Sequence, residues 1–252
     1  MTTTLATRGT TRPPRKMATG DLLNIDNNAK TPKGAALGVR TAIMYLAPSD
    51  VSGRNVCQSA SAGCRAACLN TSGRGGMRMI QTARIRRTNR FFDERDAFME
   101  QLVREVERHV RESSRDGMFP AVRLNGTSDL PWERIRVMRD GIQYPSMMSA
   151  FPDVQFYDYT KVPTRRPTGN YHLTFSLSET NERQARAWLA AGGSVAVVFD
   201  IKARGGKLPD TYWGHRVVNG DASDVRFRDP RHVIIGLKAK GDARGDGSGF
   251  VR

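Results

Sequence analysis

A chain of 252 residues, 38% of them hydrophobic, can bury one ordinary core, and α/β barrels reach this length as a single unit. Forty Lys and Arg against 25 Asp and Glu give a formal net charge of +15, so the surface attracts polyanions, nucleic acid foremost. No apolar run approaches the ~20 residues of a membrane span, and no apolar centre marks a secretory signal, so no membrane partner and a cytoplasmic location are expected.

Residues 1–20 are rich in Thr and Arg, with Pro13 and Pro14 opposing a helix, and read as a disordered basic arm. Residues 21–252 are expected to form a single α/β metal-binding domain. The first predicted strand is Thr41–Leu46, stopped by Pro48 and Ser49. A cysteine segment follows, closed by Gly73, Gly75 and Gly76. Phe91, Phe98, Leu102, Val106 and Val110 recur at helical spacing and predict a helix over Met77–Glu112.

Further strands are predicted at Ala121–Leu124, Val154–Tyr159, Tyr171–Leu177, Val195–Phe199 and Val233–Leu237. Helices are predicted at Pro131–Arg139 and at Thr180–Ala191, the latter with Thr180 as N-cap and Gly192-Gly193 as its stop. Short apolar strands separated by helices imply an α/β fold: a partial (β/α)6-type barrel or an open, mainly parallel sheet, with a cysteine loop after the first strand. Four strands end in hydrophilic clusters, Asn125–Asp129, Asp158–Lys161, Ser176–Glu179 and Lys238–Asp242. Parallel architectures bind ligands at the carboxyl ends of strands, so these clusters are expected on one rim with the cysteine loop.

The only cysteines are Cys57, Cys64 and Cys68, in the pattern C-x6-C-x3-C. An odd, clustered set argues for metal ligation over disulfides. Small neighbours such as Ser59, Ala60, Ser61 and Gly63 let the backbone wrap closely, and Arg54 and Arg65 favour thiolates. A structural zinc normally has four ligands, and His109, His172, His215 and His232 lack zinc-finger spacing. Three cysteines suit an iron–sulfur cluster, [4Fe–4S] foremost, that keeps one iron open. Unmetallated redox thiols are the remaining reading.

Other side chains divide between chemistry and structure. Asp129 could hold an amine or a metal, or cap a helix opening at Pro131. Tyr157, Tyr159 and Lys161 could line a pocket, and the tyrosines could equally share a core face. His172 alternates with Thr174 and Ser176 along one strand face, opposite Leu173, Phe175 and Leu177. Lys238 and Lys240 could hold a phosphate or carboxylate. Asp200, Asp221 and Asp224 could bind a divalent metal, although Asn219-Gly220-Asp221 is also a turn signal. Arg78, Arg84, Arg87 and Arg90, with Arg86 among them, form a basic stretch that could track a phosphate backbone.

The cysteine loop, Val122–Asp129, Phe156–Lys161, Tyr171–Ser176, Asn219–Asp221 with Asp224, and Gly236–Gly241 together resemble the phage family named after gene product 88. That resemblance implies a phage-encoded protein of the host cytoplasm. More distantly the chain is similar to the phage gene-product-37/68 family, which has a comparable three-cysteine loop. Through it the chain resembles the radical S-adenosylmethionine superfamily, whose common spacing, C-x3-C-x2-C, is shorter in both gaps. This second resemblance implies that S-adenosylmethionine ligates the open iron and that Asn125, Thr127, Ser128 and Asp129 help hold it. It also implies an electron donor as partner. The expected function is an iron–sulfur enzyme acting on nucleic acid or another anionic substrate. The alternatives are a non-catalytic iron–sulfur nucleic-acid-binding protein of phage replication or regulation, and a metal-dependent nuclease using Asp129, Asp200, Asp221 or Asp224.

Overall fold

The computed structural model describes residues 20–25, 31–165, 169–202 and 205–252, so the basic arm lies outside the described residues except for Gly20. The strands are β1 (Leu23–Asn24), β2 (Val39–Met44), β3 (Phe119–Arg123), β4 (Val137–Arg139), β5 (Ile142–Tyr144), β6 (Gln155–Thr160), β7 (Tyr171–Ser176), β8 (Val195–Phe199), β9 (Thr211–Tyr212), β10 (His215–Asn219) and β11 (Ile234–Lys238). The helices are α1 (Thr31–Ala35), α2 (Ala62–Ala66), α3 (Arg78–Asp93), α4 (Arg95–Arg115), α5 (Met147–Ala150) and α6 (Glu182–Ala190).

Nine strands form one sheet in the order β1-β2-β3-β6-β7-β8-β11-β10-β9. Every pairing from β2 to β10 is parallel, and only the outer β1 and β9 run antiparallel to their neighbours. Six parallel strands, β2, β3, β6, β7, β8 and β11, follow one another in chain order, and β10 attaches outside β11. Parallel strands all end at the same edge, so the loops leaving them share one rim.

The period of two assigns the faces. Ala42, Met44, Val122, Leu124 and Phe156 pack with Phe98, Leu102 and Val106 of α4, and this is the helix-covered side. Val39, Ala121 and Tyr157 point the other way, against Val225 and Phe227. The segment around the 3-10 turn Arg226–Arg228 therefore covers the second face.

Two expected elements differ. The long helix is two, broken at Glu94, whose φ of −130° and ψ of 47° leave the helical region. The break gathers Phe91, Phe92, Phe98 and Trp132 into one aromatic cluster, with Phe91 and Phe98 edge to face at 5.4 Å. In place of a helix over Pro131–Arg139 stand a 3-10 turn at Trp132–Arg134 and the β4–β5 hairpin. Asp140 and Gly141 have φ of 51° and 76°, the signature of a two-residue turn that matches strand twist.

His109 of α4 is fully buried, its Nε2 3.2 Å from the Ala121 carbonyl. Burial pushes its pKa down to about 4. The unfolded chain takes up this proton near pH ~6.5, the folded one only near 4, so stability falls as pH drops through that window. His109→Gln should remove up to ~1.4 kcal/mol per pH unit of that slope. Urea midpoints measured at pH steps between the two values check this, and an unchanged slope refutes it.

Candidate functional site

The cysteine segment leaves β2 and is stitched to the loop after β3. The Gly126 N–H donates to the Met44 carbonyl at 2.9 Å, and the Thr127 hydroxyl donates to that of Leu46 at 2.5 Å. The Asp129 N–H donates to Val56 at 2.8 Å. A Cβ on Gly126 would lie 2.5 Å from the Met44 oxygen, so a larger residue there would force the two loops apart. The Cys57 Sγ lies 3.6 Å from the Thr127 carbonyl oxygen.

Cys64 rides on the short α2. Its N-cap Ser61 accepts from the Cys64 N–H at 3.2 Å and donates to Glu179 Oε2 at 2.8 Å. Glu179 Oε1 accepts from the Gly63 N–H at 2.8 Å. A carboxylate just beyond β7 thus clamps the loop from across the rim. Cys68 follows, and Ala67 packs against Ala239, Ala243 and Phe250, with Cys64 beside them. The loop accordingly reaches the ends of β3, β7 and β11.

The three thiols lie within Coulombic reach of one another. Burial pushes Cys57 up to about 11, with Cys68, Asp129 and Cys64 adding to the rise and a backbone bond involving Ser49 opposing it. Burial also raises Cys68, while a backbone bond involving Asn70 and the charges of Lys161 and Arg84 pull it back. Without a cation, Cys57 stays protonated at neutral pH, and a bound metal would displace that proton. Three cysteine thiols are, by their chemistry, the donors that thiolate-ligated metal groups use. Among the described residues no three His, Cys, Asp or Glu side chains form a group able to hold a metal ion as they stand.

The expected cofactor residues are engaged. Asn125 accepts at Oδ1 from Ser128, from the Leu130 N–H and from Trp132 Nε1, and donates to Leu130 and Asp158. Asp129 does not cap a helix: one oxygen accepts from the Lys161 N–H at 2.7 Å and the other from Arg165 at 2.9 Å. Lys161 Nζ donates to Ser176 Oγ at 2.9 Å, joining two expected pocket residues. Tyr157 is buried against Phe227, and Tyr159 lies under the Arg123 guanidinium at 4.8 Å. His172 shares their face, pushed down to about 4 by burial and by Arg226 and Arg231. Lys240 bonds Asp221, which also takes the Lys238 N–H at 3.0 Å.

The basic track is corrected. Arg84 and Arg90 are buried, only 7% and 4% exposed. Arg84 donates to Asn70 and lies over Tyr45, while Arg90 holds Glu94 and Gln101. Arg87 reaches the Asp21 and Tyr45 carbonyls, and of the four only Arg78 is exposed. A three- to four-residue spacing puts Arg84, Arg87 and Arg90 on a single helix face, and that face packs inward. The nuclease carboxylates are similarly occupied: Asp129 with Arg165, Asp221 with Lys240, Asp224 with Arg123, and Asp200 with the Lys202 N–H.

Sequence reasoning passed over Glu179 and Arg165 as site residues. Glu179 stood in a polar strand end, but its contacts lie more than a hundred residues away. Glu179→Ala should leave the Gly63 N–H and the Ser61 hydroxyl without their acceptor. The expected result is roughly 1–2 kcal/mol of lost stability and faster amide exchange at Gly63 and Cys64. Exchange at these two amides that matches the parent protein would refute the clamp.

The family described as Gene product 88 matches residues 20–252. No curated protein and no solved structure matches the chain. With nearly its whole length covered by that match, the chain belongs to the Gene product 88 family, one whose name points to bacteriophage.

Proposed function

We propose that Cys57, Cys64 and Cys68 together hold one iron–sulfur cluster of [4Fe–4S] type, in an enzyme of radical S-adenosylmethionine type acting on nucleic acid or another anionic substrate. The observation that carries this is the placement of the thiols: they follow the first of six parallel strands that run in chain order, at the rim where all six end. That strand order is the one a partial (β/α)6 barrel requires.

When bound, the cluster would supply one-electron chemistry and an iron without a cysteine ligand. The chain's own residues do the rest. Arg84 and Lys161 favour thiolate at Cys68. Asp129 and Arg165 hold the loop after β3 against Cys57, whose sulfur meets the Thr127 carbonyl. Lys161 and Ser176 present an ammonium and a hydroxyl suited to an anionic group. Ala239, Ala243 and Phe250 give the loop an apolar flank beside Cys64.

Anaerobically purified protein should be brown, with iron and acid-labile sulfide in comparable amounts. Alanine at any one of the three cysteines should abolish the colour. Adding S-adenosylmethionine should perturb the reduced cluster's electron paramagnetic resonance signal and yield 5′-deoxyadenosine slowly. Colourless protein with stoichiometric zinc would overturn the cluster. A reducible cluster that ignores S-adenosylmethionine would overturn the enzyme reading alone.

A further inference from the structure

Five arginines are buried among the described residues, and four of them face a carboxylate. Arg90 lies 3.3 Å from Glu94, Arg123 3.1 Å from Asp224, Arg165 2.9 Å from Asp129 and Arg226 3.0 Å from Asp229. Arg84 is the exception. It is buried beside the cysteine loop, yet its contacts are both oxygens of Asn70, at 2.8 and 2.5 Å, and the ring of Tyr45 at 5.1 Å. Among the described residues no carboxylate lies within ion-pair distance of it, and its Nε–H is buried without an acceptor. A guanidinium keeps its proton in a protein, and a buried charge is strongly destabilising until an opposite charge joins it. A buried donor left over in the same group points the same way.

The surroundings fix where that opposite charge can be. Gln81, Arg84 and Thr88 share one face of α3. Gln81 donates to the carbonyls of Asn70 and Gly75 at 2.8 and 2.5 Å, and Thr88 accepts from the Ala47 N–H at 2.9 Å. The chain on both sides of the cysteines is thereby tied to the face that carries Arg84. Asn70 follows Cys68 by two residues and its backbone bonds that thiol, so one residue touches both Cys68 and Arg84. A Cβ on Gly75 would lie 2.6 Å from the Asn70 oxygen and 3.4 Å from Arg84 Nη1, so glycine is needed for this closeness. Lys161 also acts on Cys68, but it is only half-buried and donates to Ser176.

We infer that Arg84 is the buried counter-ion of the Cys68 corner, its charge balanced by the thiolate-ligated cluster and its presence raising that cluster's reduction potential. The inference rests on the cluster proposed above. A cubane core with three thiolates is an anion, and reduction makes it more negative, so a fixed cation in a dry site favours the reduced form. Arg84 acts through Cys68 and is a positioning residue.

The test titrates full-length, anaerobically loaded protein against mediator dyes while the cluster absorbance is followed. One electron passes from the reduced dye to the cluster, the dye is oxidised by one electron, and no bond forms or breaks. Arg84→Gln can still donate to Asn70 but carries no charge. It should disfavour the reduced cluster at least tenfold, a fall of about 59 mV in midpoint potential. Arg84→Lys should recover most of that. Arg78→Gln, an exposed change at the start of the same helix, should leave the potential where it was. A potential that Arg84→Gln does not move would overturn the inference, as would a Lys variant that behaves like the Gln one. If Arg84→Gln yields no loaded protein, iron uptake by the Lys variant decides. Iron in the Lys variant supports the counter-ion, and iron in neither reduces Arg84 to a brace for Asn70 and overturns it. Parent protein without iron would overturn the cluster itself, and this role with it.

Discussion

Asp129 joins three loops. Its N–H donates to Val56 beside Cys57, one carboxylate oxygen takes the Lys161 N–H, and the other takes the Arg165 guanidinium. Arg165 is almost completely buried and also grips Glu133 with two of its nitrogens. Arg165 also donates to the Tyr171 hydroxyl, which in turn donates to Asp158, and Asp158 accepts the Asn125 N–H. Burial pushes Asp158 up to about 7, against the pull of Arg123 and of these donors. Removing one member of such a network strands a buried charge, at a cost of about 3–5 kcal/mol. The ends of β3, β6 and β7 are thereby fixed relative to the cysteine loop, and the geometry near the thiols depends on that.

The sheet divides its labour by face. The side under α4 is apolar, as a parallel sheet covered by helices must be. The other side carries Arg123, Tyr157, Tyr159, His172 and Thr174, and is closed by Asp224, Val225, Arg226 and Phe227. A charged layer inside a fold survives only where its members pair, and Arg123 does so with Asp224 at 3.1 Å. That one pair ties the covering segment to the sheet directionally, which apolar contact alone does not.

Much of this was legible in the sequence. Alternation along Tyr171–Ser176 assigned His172, Thr174 and Ser176 to one face and Leu173 and Phe175 to the other, and the packing follows that division. The strands before the polar clusters were readable because apolar runs stopped by turn residues leave little ambiguity. The hairpin was missed although Asp140-Gly141 is a strong turn signal, because Pro131-Trp132-Glu133 imitates a helix start. β10 was missed because His215, Arg216 and Asn219 dilute a single apolar pair, and the strand forms by joining β11. The basic face of α3 was misread for a different reason. Charge says nothing about which way a side chain points, and Arg84 finds Asn70 and Tyr45 only once the loop has folded back.

The long gaps between the cysteines have a local physical use. Between Cys57 and Cys64 the chain makes a turn closed by Ala60 bonding to Cys57, then opens α2 at Ser61. A shorter gap could not accommodate both a turn and a side-chain-capped helix start, which needs its cap three residues before the amide it serves. Gly63 then allows the approach of Glu179 and Ser248, since a Cβ there would lie 2.8 Å from the carboxylate oxygen and 2.2 Å from the hydroxyl. Between Cys64 and Cys68, the three intervening residues complete the helix and direct Ala67 into the contact with Phe250. The intervening residues thus give the loop fixed points of its own, one at each end of α2. A loop so anchored holds its thiols in place through the far side of the rim.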